Sequence, residues 1–277
     1  MSHELNGKVF FITGASSGIG WALALELASH GARLALCSRR AYLLEELRRL
    51  VQKQTDILVF PFDIRSIAEG KSAVSKTLEK WGRVDYLINN AGVINNAHFH
   101  DQSFEAIEEL TQTNFLGPAN LIQTVLPHML KQGKGHIVNV ASICGVLAFP
   151  YVASYSASKF ALVGLTEALR REYYGTGVTF TAFCPGNVDT PMIAESMKNK
   201  RFTKAAKPMA AKKAALMILE CCVKSRAEKI AGEVPSLIAK TSKFFPSIAD
   251  YMVHWIYRKI HPIARQEYLA RKRLTIK

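Results

Sequence analysis

Short apolar runs and stretches of helical period take turns from Lys8 to Phe183, and this alternation constrains the fold more than any other feature. Lys8–Thr13, Arg33–Ser38, Ile57–Phe60, Val84–Ile88, His136–Val140 and Val178–Phe183 read as strands. Between them Trp21–His30, Tyr42–Gln54, Ile67–Trp81, Phe104–Leu130 and Ala153–Tyr174 space their apolar residues as helices do, the first stopping at Gly31. Strands that are apolar throughout need cover on both sides. The pattern therefore predicts an α/β fold, a doubly wound parallel sheet with helices on both faces. Ligands of such sheets lie beyond the carboxyl ends of the strands. Thr13, Ser38, Asn90, Ser142 and Pro185 all follow strands, so the pattern gathers them on one rim.

A chain of 277 residues with 49% hydrophobic content can bury one large core. The five cysteines lack the spacing of a disulfide framework or a zinc site, which points to a reducing, cytoplasmic setting without a metal. The first residues hold no apolar signal core, and no apolar run is long enough to span a bilayer. The net charge of +14 is uneven: residues 1–197 balance 17 Lys and Arg against 17 Asp and Glu, whereas residues 198–277 carry 19 against 5.

The turn after the first strand reads Thr13-Gly14-Ala15-Ser16-Ser17-Gly18-Ile19-Gly20. Glycines here admit a tight turn and let the backbone approach a pyrophosphate at the following helix N-terminus. The spacing is Gly-x-x-x-Gly-x-Gly rather than Gly-x-Gly-x-x-Gly, so position carries the assignment to a dinucleotide. At the end of the second strand a carboxylate would select NAD and an arginine NADP. Cys37-Ser38-Arg39-Arg40 has no carboxylate. Arg39 offers a planar fork and Ser38 a further donor, which favours NADP over the alternative of two solvated arginines.

Tyr155 and Lys159, four apart, share one helix face, with Ser142 a short loop upstream. An ammonium beside a phenol favours the phenolate, and lowering the phenol from ~10 by two or three units would make it an acid–base group near neutrality. A half-buried ring beside a solvated lysine is the other reading of the pair alone.

Together, Thr13–Gly20, Asn89-Asn90-Ala91-Gly92, Asn114, Ser142, Tyr155/Lys159 and Pro185-Gly186-Asn187-Val188-Asp189-Thr190 make the chain resemble the short-chain dehydrogenase/reductase family over roughly Leu5 to Thr190. The resemblance implies a Rossmann-like sheet of about seven strands and a nicotinamide cofactor. It implies that Tyr155 donates the proton, Lys159 tunes Tyr155 and bonds the nicotinamide ribose, Ser142 holds the carbonyl, and Asn114 anchors a relay water. It further implies cofactor contacts from Gly14, Ser16, Ser17, Gly18, Ile19, Gly20, Ser38, Arg39, Arg40, Asp63, Ile64, Asn90, Ala91, Gly92, Pro185, Gly186, Val188 and Thr190. A homodimer or homotetramer is the family expectation. Asp63 as a turn former before Ser66, a candidate helix cap, is the structural alternative at that position.

Near the carbonyl site Ile94, Cys144, Val146, Leu147, Phe149, Val152 and Met192 are apolar or small, with no Lys or Arg among them. Cys144, Val152 and Met192, with Ser142 and Tyr155, are the substrate contacts this suggests. A hydrophobic or lipid-like ketone is expected before a sugar phosphate, with β-ketoacyl, steroid and small aromatic carbonyls as alternatives. The loop of about residues 191–208 reads as a basic substrate lid closing a catalytic domain of residues 1–233. Residues 234–277 form a basic amphipathic helical extension in which Phe244, Phe245, Ile248, Tyr251, Met252, Trp255, Ile256 and Ile260 follow helical spacing. That stripe either docks on the core or a partner subunit, or lies peripherally at a membrane interface. Asp189-Thr190-Pro191 and the tail are similar to long-chain keto-lipid reductases of the 3-ketosphinganine type. A non-catalytic NADP(H)-binding scaffold is the competing class. Nucleic acid is not expected, since no recognition motif accompanies the basic tail.

Overall fold

The computed structural model describes residues 2–194, 207–231, 242, 244–260 and 266. Its centre is a parallel sheet of seven strands: β1 (Val9–Thr13), β2 (Arg33–Ser38), β3 (Ile57–Pro61), β4 (Tyr86–Asn89), β5 (Gly135–Val140), β6 (Val178–Pro185) and β7 (Glu228–Ala231). Their order is β3-β2-β1-β4-β5-β6-β7. The chain runs outward from β1 to β3 and then restarts at β4 on the other side of β1, which opens a crevice between the carboxyl ends of β1 and β4.

Alternation along each strand fills two cores. Phe10, Ile12, Leu34 and Leu36 project to the side covered by α1 (Gly18–Ser29), α2 (Ala41–Val51) and a later helix, Ala211–Lys224. Phe11, Ala35, Cys37 and Leu87 project to the side covered by α3 (Ile67–Trp81) and by Leu121 and Val125 of a long helical segment. A period of two inside an unbroken apolar run is what a sheet buried on both faces requires. Ser66 does cap α3, accepting from Glu69 N at 3.4 Å, and Gly82 ends it in the left-handed conformation at φ +71°.

The long helix expected at Phe104–Leu130 is not uninterrupted. It divides into α4 (Phe104–Thr111), a π-helical turn (Gln112–Leu116) and α5 (Gly117–Lys131). The wider turn brings Asn114 inward, where its side chain is fully buried and bonded across to another loop. The next helix, α6, spans Ala153–Glu172. Two elements have no counterpart in the apolar pattern. α7 (Ala211–Lys224) packs its Ala214, Ala215 and Ile218 into the α1 core, and β7 holds Glu228 and Lys229 because it is an edge strand paired only with β6. α1 also begins at Gly18, inside the glycine-rich turn, rather than at Trp21.

Val188–Asp189 pairs in parallel with Met209–Ala210, which ties both flanks of the expected lid to one place. Pro191–Ile193 is a short 3-10 turn, and residues 195–206 of the lid lie outside the described residues. The last described helix, α8, spans Pro246–Ile260.

Candidate active site

The strand ends enclose a cleft of about 380 Å³ that runs from the glycine-rich turn to the start of α6. At one end Thr13 fixes the turn: its hydroxyl accepts from the Asn90 and Ala91 amides, both at 3.0 Å. Asn90 completes the tie, its amide donating to the Thr13 carbonyl at 2.9 Å and the Gly14 carbonyl at 3.2 Å. Asn90 thus shapes the turn as well as lining the cleft. Gly14 and Gly18 stand at φ +67° and +56°, and a Cβ would lie 2.8 Å from Ala91 Cα in the first case and 2.7 Å from Thr190 Cγ2 in the second. The bare backbone there is what a pyrophosphate could approach.

The two arginines after β2 are placed differently. Arg40 folds over the turn, donating from Nε and Nη2 to Ser16 Oγ at 3.0 and 2.8 Å and from Nη2 to Ser17 Oγ at 2.6 Å. Arg39, which the sequence put first, stands at the rim with 58% of its side chain exposed, 3.8 Å from Asp63 and 3.9 Å from Glu109. Asp63 also receives both Nε and Nη2 of Arg65, at 3.0 and 2.8 Å, and these bonds hold its carboxyl below the usual carboxylate range. Its charge is therefore already answered.

At the other end lie Ser142, Tyr155 and Lys159. Ser142 follows β5 and accepts from Cys144 N at 3.1 Å, which opens a 3-10 turn at Ile143–Gly145. Tyr155 and Lys159 rise from the first turns of α6, both almost fully buried. Lys159 Nζ lies 5.8 Å from the Tyr155 ring centre and donates to the Val140 carbonyl at 3.0 Å.

The electrostatics depart from the sequence expectation. Burial pushes the Tyr155 hydroxyl well above the usual phenol range, with the bond to Ser142 pulling weakly the other way. The same burial brings Lys159 down to about 8. Desolvation thus dominates in setting both groups, because a charge of either sign is disfavoured in this position. Tyr155 is held as the acid form. Cys144, in the cleft beside it, is pushed up to about 11 by burial and remains a thiol rather than a nucleophile.

Asn114 lies behind the cleft. Its carbonyl oxygen accepts from Val93 N at 2.9 Å, and its amide donates to Val93 O at 2.9 Å and Ser158 Oγ at 3.0 Å, while Ser158 donates to Tyr155 O at 2.7 Å. Its side chain therefore braces the π turn against the helix carrying Tyr155. Gly20 packs beneath the turn, where a Cβ would meet Asn90 Nδ2 at 2.6 Å. Val152 packs with Leu110 and Tyr155 without lining the cleft. The other expected contacts line it, but Val146, Leu147 and Phe149, expected near the carbonyl site, do not. Phe62, Val93, Thr113, Val140, Ile143 and Ile193 line it too and were not singled out. Their one common signal is adjacency to a chosen residue or strand end.

A model described as short chain dehydrogenase matches residues 8–201. The chain belongs to the short-chain dehydrogenase family. It is 37% identical over 200 residues to human dehydrogenase/reductase SDR family member 7, covering 70% of this chain and 59% of the relative, so it spans under two thirds of that protein. Among solved structures it resembles a Burkholderia phymatum short-chain dehydrogenase/reductase in complex with NAD, at TM-score 0.81 and 27% identity over 88% of this chain and 96% of the other. Levodione reductase is similar at TM-score 0.77 and 27% identity, covering 82% and 95%. Membership of this family places the chain among oxidoreductases.

A buried lysine with a lowered pKa destabilises the folded state while it is charged. Below pH 8 it is charged both folded and unfolded, and the burial penalty is complete. Between about 8 and 10.5 the folded chain loses this proton first, so stability rises with pH through that window. Lys159→Met is accordingly expected to gain about 1–3 kcal/mol at pH 7 and to lose that advantage by pH 10, read by urea unfolding across pH. A variant less stable than the parent at pH 7 would contradict the assignment.

Proposed function

We propose that this dehydrogenase reduces a ketone on a hydrophobic or lipid-like molecule to a secondary alcohol, with NADPH as the cofactor. The observation that carries the reading is the buried Tyr155 hydroxyl, kept protonated beside Ser142 at the apolar end of the cleft. The bare turn at Gly14 and Gly18, with donors from Ser16, Ser17 and Ser38, fits a dinucleotide diphosphate and ribose. Arg40 and Arg39 supply cations where a 2′-phosphate would need them, and no carboxylate ends β2. Arg39 would give up only exposed pairs with Asp63 and Glu109, and pairs of that kind are worth about 0–1 kcal/mol. NAD belongs to the Burkholderia neighbour and its own residues.

The cofactor, when bound, supplies the hydride for reduction. Ser142 holds the carbonyl oxygen, and Tyr155 gives it a proton as negative charge develops there. A phenol kept protonated by burial suits a donor better than a base. Lys159 then lies close enough for its ammonium to stabilise the phenolate that remains. Asn114 and Ser158 keep α6 in register with the π turn, so that these groups stay aligned.

Val93, Ile94, Ile143, Cys144, Met192 and Ile193 line the catalytic end, and Lys159 is the one cation among the described residues there. An apolar wall of this kind favours hydrophobic bulk over a phosphate or carboxylate. A homodimer or homotetramer belongs to the same reading, with Phe104, Leu116 and Phe160 exposed on adjoining helical segments. The test is a screen of keto-lipids, steroids, β-ketoacyl thioesters and small aromatic ketones, with NADPH and NADH compared. Turnover of apolar ketones with at least about tenfold preference for NADPH is expected. Tight NADPH binding with no turnover of any class would favour the non-catalytic scaffold instead.

A further inference from the structure

The helix α8 presents a surface that neither the core nor the cleft uses. At 3.6 residues per turn, Ile248, Tyr251, Met252 and Trp255 fall within an arc of about 100°. All four are exposed, as are Phe244 and Phe245 just before the helix. Among the residues of the helix whose side chains are described, Ala249 and Val253 are the buried ones, while Asp250, His254 and Arg258 are exposed on a polar flank. A surface helix of a globular protein ordinarily buries its widest apolar face. Here the aromatic face points outward, and Ala249 and Val253 point inward.

Charge identifies what covers it. Residues 234–277 carry nine Lys and Arg against two Asp and Glu, whereas residues 1–197 are balanced. A second copy presenting the same tail would bring the same positive sign to the face and be repelled. Tyr and Trp rings with cations nearby match the headgroup level of an anionic bilayer, where each cation adds about 1 kcal/mol. Among the described residues no helix is long and apolar enough to cross a membrane, so the helix can only lie along one. We infer that α8 lies flat in the headgroup layer of an anionic lipid surface and holds the enzyme there peripherally, its aromatic arc inserted.

The experiment is sedimentation of the full chain with phosphatidylserine-containing vesicles and with pure phosphatidylcholine vesicles, at low and high salt. Binding to the anionic vesicles at low salt is expected, with at least about tenfold less on neutral vesicles or at high salt. Tyr251→Ser combined with Trp255→Ser is expected to weaken binding to anionic vesicles by about tenfold, since the loss of each ring removes inserted apolar area. Parent emission should move to the blue on adding anionic vesicles, and Trp255→Phe should abolish that change. No sedimentation at low salt overturns the inference. Binding indifferent to the double variant overturns it too, since charge alone would then be adsorbing the tail. A drop in light-scattering mass in the double variant would assign the face to a protein interface instead. These readouts do not involve turnover, so their failure leaves the reductase reading standing.

Discussion

Tyr155→Phe is expected to lower kcat for ketone reduction by about 10²–10⁴, the usual worth of a positioned proton donor, while NADPH affinity stays within a few fold. The ring packs with Leu110 and Val152, and the substitution preserves that packing. Only the hydroxyl is lost, with its bond to Ser142, a stability change of about 1 kcal/mol. Because burial holds the phenol as an acid, the reduction direction should be nearly independent of pH below about 8 in the parent. Alcohol oxidation, which needs the phenolate, should rise as the solution becomes more alkaline. Steady-state kinetics in both directions, with NADPH binding followed by fluorescence, give the comparison. A variant with full turnover would remove Tyr155 from the chemistry.

Replacing both Arg39 and Arg40 by alanine is expected to raise the KM for NADPH by about 10²–10³ and to leave that for NADH nearly unchanged. Each charge-assisted bond to a phosphate contributes about 1.5–3 kcal/mol. The single variants should differ. Arg40 is already anchored over the turn by Ser16 and Ser17, whereas Arg39 is shared with Asp63 and Glu109 at the rim. Arg40→Ala should therefore have the larger effect. An unchanged ratio of NADPH to NADH KM in the double variant would show that neither arginine reads the 2′-phosphate, and the NADP assignment would fall with it.

Much of the site was legible because it lies on strand ends. Once Lys8–Thr13, Val84–Ile88 and His136–Val140 are read as parallel strands, Gly14, Asn90 and Ser142 must share a rim. Helical spacing alone puts Tyr155 and Lys159 on one face. The π turn at Gln112–Leu116 was not legible, since its apolar spacing continues that of the flanking helices and only the contacts of Asn114 reveal it. β7 was equally hidden: an edge strand of four residues containing Glu228 and Lys229 carries no apolar run. Which arginine covers the turn depends on how the loop after β2 folds back, and no count of charges decides that.

The chain itself determined the doubly wound sheet, the rim on which the cleft forms and the shared helix face of Tyr155 and Lys159, because these follow from periodicity and residue type. Tertiary structure alone decided the burial that raises Tyr155, the different placements of Arg39 and Arg40, and the bracing contacts of Asn114. The physical reason is that pKa values and hydrogen-bond partners depend on burial and on residues remote in sequence, here Val93 with Asn114 and Ser142 with Tyr155.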